Sequence, residues 1–269
     1  MPRYGHAVLG GTFDRLHVGH AALIGAAFAR GRRVSIGVAT DALVRSSAKP
    51  HRTAIRSYAR RRATLARWIR RRFPGRSFRL VPLADRFGRS VEPGIDVLVV
   101  SAETAAGGRA VNAERRRRGL RPVPIVEVPV VLADDLRPVS SRRIRAGEID
   151  RQGRRRGPIS VGLSADDPPG VAPLCTAVRR NFPAARVAVD ERPPRSGGSS
   201  ESAARRRAER AARGRDLGLG LVRARDGRWV VVEASAEVSL DPVWLPAGST
   251  RALARDVARL LRPGRSQAL

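Results

Sequence analysis

Short apolar runs alternate with segments of helical periodicity along the first 150 residues. The apolar runs, which predict buried strands, are 6–9, 34–38, 78–82, 95–101 and 125–131. The periodic segments, which predict helices, are 18–29, 55–73, 110–118 and a short stretch from Ser140 onward. Strands that alternate with helices indicate an α/β domain with a parallel sheet, whose ligands bind at the carboxyl ends of the strands.

A polar and basic stretch separates this domain from a second, smaller α/β domain. Residues 151–157 predict a linker, so we expect one domain over residues 1–150 and another over residues 158–269. The strands predicted for the second domain are 159–163, 186–190, 217–223 and 229–234, and the helices are 174–181, 201–213 and 250–261. Asp226-Gly227 stands between the last two strands and predicts a hairpin turn.

The formal net charge of +29 has two interpretations. One is a nucleic-acid partner, because lysine and arginine release counterions from phosphates. The other is the base composition of the genome, since Lys49 is the only lysine among the 53 basic residues. Aromatic residues, on which single strands stack, make up only 4%. We favour the second interpretation and expect only weak, non-specific, salt-sensitive binding of nucleic acid.

Length and composition exclude several classes of protein. A chain of 269 residues with 42% hydrophobic residues can bury a core and does not have a disordered composition. No apolar run is long enough to span a bilayer, and the first residues lack a signal-peptide pattern. We therefore expect a cytoplasmic protein with no membrane partner. The single cysteine, Cys175, cannot form an internal disulfide.

The stretch LGGTFDRLHVGH lies where the first predicted strand ends and the first predicted helix begins. Gly10 and Gly11 let the backbone approach a ligand that a Cβ atom would obstruct. The helix N-terminus offers free N–H groups and a positive dipole end to an anion, and Thr12 adds a hydroxyl donor. His17 and His20 are three residues apart, so both rings can lie near the same anion. The motif therefore predicts a phosphate site.

Two signatures in this domain resemble those of the HxGH nucleotidyltransferases. His17-Val18-Gly19-His20 is similar to the motif for which that superfamily is named. The segment SSRRIR at 140–145 is similar to its second signature, and the two stand in the family's order. The resemblance implies a Rossmann-like fold for residues 1–150.

A finer resemblance, to the archaeal-type pantetheine-phosphate adenylyltransferases, covers almost all of residues 1–150. It rests on DVLVVSAET at 96–104, on Asn112 with the arginine run that follows it, and on SSRRIRAGEID at 140–150. This resemblance implies transfer of AMP from ATP to 4′-phosphopantetheine, which gives dephospho-coenzyme A and pyrophosphate in coenzyme A biosynthesis. It also implies Mg²⁺ as the cofactor that accompanies ATP.

The same resemblance assigns roles to individual residues. It implies that His20 stabilises the α-phosphate in the transition state, that His17 orients the ATP phosphates and that Thr12 holds the incoming phosphate. The residues that it implies for ATP and phosphate binding are Gly10, Gly11, Thr12, Phe13, Ser140, Ser141 and Arg143. Its candidates for further substrate contacts are Thr40, Asp41, Arg56, Ser101, Glu103 and Thr104.

Lys49 is a third catalytic candidate. It follows the segment ATDAL, where the family places a phosphate-binding lysine. A lysine retained among so many arginines indicates a site shaped for a compact ammonium group rather than for the planar guanidinium fork. We therefore expect Lys49→Arg to lower turnover although it keeps the charge.

The second domain resembles the inosine/xanthosine triphosphatases but departs from their pattern. The likeness lies in the strand ISVGL, in Glu201 and in DLGLGL, which begins at Asp216. This chain has Asp166 and Asp167 where that family has a lysine-bearing phosphate loop, and Val222 where it has an acidic residue. Glu201 and Asp216 are candidate metal ligands, but we assign no metal site and predict a lost or altered activity.

Two alternative functions stay open. Within the superfamily, the acceptor could be FMN, or glycerol 3-phosphate with CTP as the donor. In another class, the chain could be a nucleic-acid-binding module that reuses the fold. The segment DVLVVSAET favours 4′-phosphopantetheine, and intact His17, His20 and Ser141 argue against a module that would need none of them. The sequence predicts no oligomeric state.

Overall fold

The computed structural model describes residues 2–47, 54–166, 171–182, 184–190, 199–235, 238–261 and 267–268. The chain divides into two compact units, which we call the first and the second unit. The first unit comprises Met1–Val131, Ser140–Arg145 and Ala268, and the second comprises Leu132–Val139, Ala146–Gln267 and Leu269.

The first unit is built around a five-stranded parallel sheet. Its strands are β1 (Tyr4–Gly11), β2 (Gly31–Ala39), β3 (Phe78–Leu83), β4 (Val97–Ser101) and β5 (Ile125–Val128), in the order β3-β2-β1-β4-β5. Its helices are α1 (Val18–Arg30), α2 (Asp41–Ser46), α3 (Tyr58–Arg72), α4 (Ala105–Arg117) and α5 (Ser141–Arg145). The strand order reverses between β1 and β4, and sheets of this kind bind ligands at such a reversal.

Alternation along the strands divides the apolar residues of the first unit between the two faces of the sheet. On β1, Ala7 and Leu9 join a core that includes Leu65 of α3. Val8 belongs to a smaller core with Val111 of α4. Helices therefore cover both faces, which is why the strands read as nearly continuous apolar runs.

The second unit contains a mixed five-stranded sheet in the order β11-β10-β9-β7-β8. These strands are β7 (Ser160–Ala165), β8 (Arg186–Val189), β9 (Leu217–Arg223), β10 (Trp229–Ala234) and β11 (Val243–Leu245); β6 (Val131–Leu132) and β12 (Gln267–Ala268) are two-residue strands outside this sheet. The helices are α6 (Val171–Asn181), α7 (Ser200–Ala211) and α8 (Thr250–Leu260). β7 runs parallel to β8 and β9, whereas β10 runs antiparallel to β9 and β11. Among the described helices of both units, none has the length and apolar character to cross a membrane.

The predicted α/β class is confirmed. The first unit has a parallel sheet with helices, and the second unit has a sheet and helices of its own. The predicted hairpin is also confirmed, since β9 and β10 pair on either side of Asp226 and Gly227. α4 begins at Ala105 and not at residue 110, because Gly107 and Gly108 weaken the helix signal in its first turns. The sequence did not predict α2 and β11, whose six and three residues carry too little periodicity.

Residues 151–157, for which the sequence predicts a linker, lie within the second unit. They are hydrogen-bonded to the residues just before them. The Asp150 N–H donates to the Arg154 carbonyl at 2.8 Å, and the Arg156 N–H donates to the Glu148 carbonyl at 3.0 Å. The division of the chain at 150 and 158 into domains of different function stays a prediction.

Candidate active site

The loop between β1 and α1, residues 12–17, leads into the first signature, and we call it the signature loop. β1 ends at Gly11, and α1 begins at Val18 with His17 as its N-cap. Nδ1 of His17 accepts a hydrogen bond from the Gly19 N–H at 3.2 Å, which is the role that serine or aspartate usually takes at a helix start. The ring centroids of His17 and His20 lie 3.9 Å apart. The structure therefore brings the two predicted histidines together at the N-terminus of α1.

The His17 ring is neutral at physiological pH. Burial lowers its pKa from 6.5 to about 4. Because Nδ1 accepts the bond from the Gly19 N–H, the proton of the neutral ring is on Nε2. His17 can therefore donate one hydrogen bond to an anion, but it adds no positive charge to the site.

Phe13 turns the loop through a left-handed backbone conformation. Its φ is 51° and its ring is buried. A bulky residue seldom adopts this conformation, which persists only where the surroundings hold it. The ring centroids of Phe13 and His20 lie 5.1 Å apart. A Cβ atom on Gly11 would come within 3.1 Å of the Phe13 ring, so glycine at this position lets the turn close.

Asp14 joins the signature loop to two other parts of the chain. Its side chain is buried, and its Oδ1 accepts hydrogen bonds from the N–H and the Nε–H of Arg56, both at 3.1 Å. Its Oδ2 accepts one from Nη1 of Arg145 at 2.7 Å. Because Arg145 belongs to the SSRRIR segment, this carboxylate joins the signature loop to the second signature, although 131 residues separate Asp14 from Arg145.

These arginines keep the Asp14 carboxylate ionised. Burial by itself raises its pKa, but the N–H of Arg56 and the guanidinium groups of Arg145 and Arg56 outweigh that effect, so the pKa lies below its ordinary value of 3.8. A buried charge that loses one of its partners is strongly destabilised. The ionic contact therefore fixes the loop with respect to the second signature.

Ser141 makes a second connection between the signatures. Its hydroxyl donates to the Arg15 carbonyl at 3.1 Å and accepts from the Arg15 N–H at 3.2 Å. Ser140 accepts a hydrogen bond from the Arg143 N–H at 3.4 Å, and the Arg143 side chain is buried. The candidate phosphate ligands of the second signature thus lie on a segment that is bound to the loop of the first. Their contact with phosphate stays a prediction.

A cavity of about 350 Å³ lies on the face of the sheet that carries Val8. Four predicted ligand-binding residues line it, namely Gly10, Gly11, Thr12 and Thr104. Much of the remaining wall is apolar and comes from Ala39, Val81, Leu83, Leu98, Val100 and Val111. The volume falls within the range of small-molecule sites, which is roughly 300–1,000 Å³. The cavity therefore offers room for a ligand beside the glycines that end β1.

The predicted contacts at the start of α2 have structural partners. Thr40 caps α2 by accepting a hydrogen bond from the Leu43 N–H at 3.2 Å. Asp41 accepts one from the Tyr58 N–H at 2.8 Å, and this bond is the main reason that its pKa is lowered. The candidate Lys49 lies outside the described residues, so its role stays a prediction.

Three further candidates lie at the end of β4 and directly after it. The hydroxyl oxygens of Ser101 and Thr104 lie 3.0 Å apart, and the Ser101 N–H donates to the Thr104 hydroxyl at 3.1 Å. Glu103 between them is exposed. Because Thr104 also lines the cavity, this turn forms part of its wall.

The sequence did not predict that Asp14, Arg61 and Arg145 belong to the site. Arg61 is fully buried and donates from Nη1 to a backbone carbonyl of the signature loop at 2.8 Å. The helical period contained a signal for it, since Arg61 precedes Leu65 and Ile69 by one and two steps of four residues. An arginine in line with two core residues belongs to the buried side of its helix.

The two candidates of the second unit have separate structural partners. Glu201 accepts a hydrogen bond from Nε1 of Trp244 at 2.8 Å. Asp216 accepts two from Ser160, one from its N–H and one from its hydroxyl, both at 2.9 Å. In the part of the chain that the structure describes, no three His, Cys, Asp or Glu side chains are grouped so that they could hold a metal ion.

The fold and the site define a nucleotidyltransferase-type α/β domain, and the family model for cytidylyltransferase-like proteins matches residues 8–147. The phosphopantetheine adenylyltransferase of Methanopyrus kandleri is 40% identical over 151 residues, which are 56% of this chain and 94% of that protein. The protein of the same name from Pyrococcus horikoshii is 37% identical over 162 residues, which are 60% of this chain and 100% of that protein. The chain therefore belongs to the cytidylyltransferase-like family and, within it, to the phosphopantetheine adenylyltransferases.

A fused relative matches somewhat more of this chain. The bifunctional phosphopantetheine adenylyltransferase/NTP phosphatase of Thermoplasma acidophilum is 40% identical over 174 residues, which are 64% of this chain. The match covers 52% of that relative, so the chain spans about half of its length. This relative supports the fusion that the sequence indicates.

Proposed function

We propose that this chain transfers AMP from ATP to 4′-phosphopantetheine, which gives dephospho-coenzyme A and pyrophosphate for coenzyme A biosynthesis. One observation carries the proposal. The histidine pair and the SSRRIR segment are joined through Asp14 and Arg15, next to a cavity of small-molecule size. Two relatives that the chain covers almost completely are named for this activity.

The reaction needs positioning and charge stabilisation rather than a protein nucleophile. An oxygen of the 4′-phosphate attacks the α-phosphorus of ATP, and the bond between that phosphorus and the bridging oxygen of the β-phosphate breaks. Pyrophosphate leaves with the bridging oxygen. Because the acceptor phosphate attacks ATP directly, no bond to the protein forms. The N-terminus of α1 stabilises the negative charge together with His20. The neutral His17 orients a phosphate oxygen with one N–H donor.

The cavity suits the acceptor. Its largely apolar wall fits the long pantetheine arm, while Thr12 can receive the phosphate end. Gly10 and Gly37 are direct neighbours in the β1–β2 register, so neither strand carries a side chain at that point, and the Leu83 side chain lies next to it. An extended arm can therefore pass close to these strands, beside the Leu83 side chain that also lines the cavity.

Magnesium accompanies ATP in this proposal. Arg56 and Arg145 bind the Asp14 carboxylate, and among the described residues no group of three or more His, Cys, Asp or Glu side chains could hold a metal ion. These residues fit an ion that is held by phosphate oxygens and water, as Mg²⁺ often is in nucleotide sites. When bound, the ion would neutralise phosphate charge.

An acceptor panel tests the proposal. The purified full chain is incubated with ATP, Mg²⁺ and one of three acceptors, 4′-phosphopantetheine, FMN or glycerol 3-phosphate, and pyrophosphate is measured. A parallel reaction contains CTP with glycerol 3-phosphate. We expect pyrophosphate only with 4′-phosphopantetheine and ATP. Pyrophosphate with another acceptor, and none with 4′-phosphopantetheine, would show that the assigned acceptor is wrong.

For the second unit, we propose that it does not hydrolyse ITP or XTP at a useful rate. Asp216 already accepts two hydrogen bonds from Ser160. Asp166 pairs with Nη2 of Arg207 at 2.7 Å, so that arginine is neutralised where a triphosphate would need a positive charge. Val222 stands where the resembling family has an acidic residue, and its side chain is buried in an apolar cluster.

The test measures phosphate and pyrophosphate release from ITP, XTP and GTP by the full chain, with Mg²⁺ or Mn²⁺ and without an acceptor. We expect no release above the rate of the uncatalysed reaction. Turnover that disappears in Asp216→Ala would contradict the proposal and assign a second activity to this unit.

A further inference from the structure

Arg61 is the only arginine of α3 whose side chain is fully buried, and it binds three separate parts of the first unit. Its Nη1 donates to the Thr12 carbonyl at 2.8 Å, and its Nε donates to the Arg56 carbonyl at 2.7 Å. Its Nη2 donates to Oδ1 of Asp41 at 2.9 Å. One planar guanidinium group therefore connects the signature loop, the residues before α3 and the start of α2.

These bonds close a ring around the left-handed turn at Phe13. Arg61 holds Thr12 on one side of Phe13, while Arg56 holds Asp14 on the other. Arg61 also binds the Arg56 carbonyl, so both sides of the turn are attached to the same short segment. A left-handed conformation of a bulky residue costs on the order of 1–3 kcal/mol and needs such external support.

We propose that Arg61 is a positioning residue that holds the signature loop in its reactive shape. The proposal rests on the proposed function in one respect, which is that the loop binds phosphate. Arg61 acts through the Thr12 carbonyl and the backbone of Phe13, and it needs no contact with substrate. When Arg61 is lost, Phe13 relaxes, and the Thr12 hydroxyl and the His20 ring that packs against Phe13 move away from the reacting phosphates.

The side chain must be arginine for this role. Its five N–H donors lie in a fixed plane and can reach three acceptors in different directions. Lysine has a single ammonium group on a flexible stem, so it can keep the charge beside Asp41 but cannot make the same three bonds. Asp41 supplies the counter-charge that a buried guanidinium group requires.

The experiment compares Arg61→Met and Arg61→Lys with the wild-type full chain. Arg62→Met is the matched control, because Arg62 is the next residue on the same helix and its side chain is exposed. Thermal unfolding shows whether each variant is folded. Two quantities are then measured, kcat and KM with ATP and 4′-phosphopantetheine, and hydrogen–deuterium exchange of the peptide that contains residues 11–16.

We expect both Arg61 variants to lose kcat on the order of 10²-fold, as a small misplacement of reacting groups does, with a smaller change in KM for ATP. Exchange in the loop peptide should accelerate in both variants and stay at the wild-type rate in Arg62→Met. If Arg61→Met does not fold, Arg61→Lys decides, because it keeps the charge beside Asp41.

Two results would overturn the proposal. One is a folded Arg61 variant whose kcat is within about twofold of the wild type, far from the loss expected for misplaced groups. The other is a loss of kcat with unchanged exchange in the loop peptide. If the wild type itself makes no dephospho-coenzyme A, the proposed function fails, and the exchange measurement alone decides whether Arg61 holds the loop.

Discussion

Glycines on the two sheets serve opposite purposes. In the first unit, a Cβ atom on Gly10 or Gly37 would meet a side-chain methyl group of Leu83 at 3.3 Å. In the second unit, a Cβ atom on Gly218 would lie 2.1 Å from the Ala208 carbonyl oxygen. Gly162 and Gly220 make similarly close approaches to the backbone of α7.

The difference shows that glycine in a strand can either leave space for a cavity over the sheet or allow a helix to pack directly on the strands. In the first unit, Gly10 and Gly37 line a cavity together with the Leu83 side chain that lies next to them. In the second unit, glycines let α7 lie directly on the strands, with Ala204, Ala208 and Ala212 packed in the adjoining core. The first arrangement provides room for a ligand, whereas the second fills the corresponding space with helix backbone.

The largest effect that this comparison predicts is on stability. Gly218→Ala forces an atom into the backbone of α7, so we expect a loss of about 3 kcal/mol or more in the free energy of unfolding, above most single substitutions. Gly37→Ala meets only a flexible leucine, so we expect a loss below about 1 kcal/mol and a raised KM for 4′-phosphopantetheine. Urea unfolding followed by tryptophan fluorescence measures both, because Trp229 reports on the second unit and Trp68 on the first.

Equal stability losses in the two variants would show that the residues over Gly37 are packed as tightly as those over Gly218. A Gly37→Ala variant with unchanged KM for the acceptor would show that the cavity does not bind it.

The second effect is on kcat at the candidate active site of the first unit. We expect His20→Ala to lower kcat on the order of 10²-fold or more, because the contact of His20 strengthens as charge develops in the transition state. ATP affinity should change much less. Steady-state kinetics and equilibrium binding of ATP check both expectations, with Arg62→Met as the control. Unchanged kcat with weakened ATP binding would assign His20 to ground-state binding only.

The pattern of apolar residues predicted most strands of both sheets. β9 and β10 have the bounds that the alternating apolar runs indicate, and β1 to β4 lie within a few residues of their predictions. The two signatures were expected to share a site, and Asp14 and Ser141 do connect them. The helical period indicates that Arg61 lies on the buried side of α3, in line with Leu65 and Ile69. It does not indicate which acceptors Arg61 binds, because these lie on other segments of the chain.

The sequence pattern also did not predict the close approach of α7 to its sheet. The segment LGLGL predicts a strand, but it does not say whether a ligand or a helix will lie over its glycines. That outcome depends on the alanines of a helix earlier in the chain, because only small side chains allow backbone contact.

The smallest predicted effect is the pH dependence of stability at His17. Its folded pKa, about 4, lies below the ordinary value of 6.5, so the unfolded chain takes up a proton first as the pH falls. This group therefore lowers stability as the pH falls from 6.5 towards 4, by on the order of 1–3 kcal/mol. His17→Asn keeps a capping acceptor for the helix but does not titrate.

Urea unfolding of the two proteins at several pH values isolates the contribution of His17. We expect the wild type to lose more stability than His17→Asn between pH 6.5 and pH 4. Parallel curves would mean that the ring titrates normally, and that His17 is not the neutral donor described for the site.

In the proposed reaction, the candidate active site of the first unit transfers AMP, with the α-phosphorus of ATP, to 4′-phosphopantetheine. The most direct measurement uses ATP labelled at that phosphorus, with the purified full chain, Mg²⁺ and 4′-phosphopantetheine. We predict that the label appears in dephospho-coenzyme A, that an equal amount of unlabelled pyrophosphate forms, and that both products form on the order of 10²-fold more slowly with His20→Ala. Label that remains in ATP, or that appears in AMP without dephospho-coenzyme A, would contradict the account.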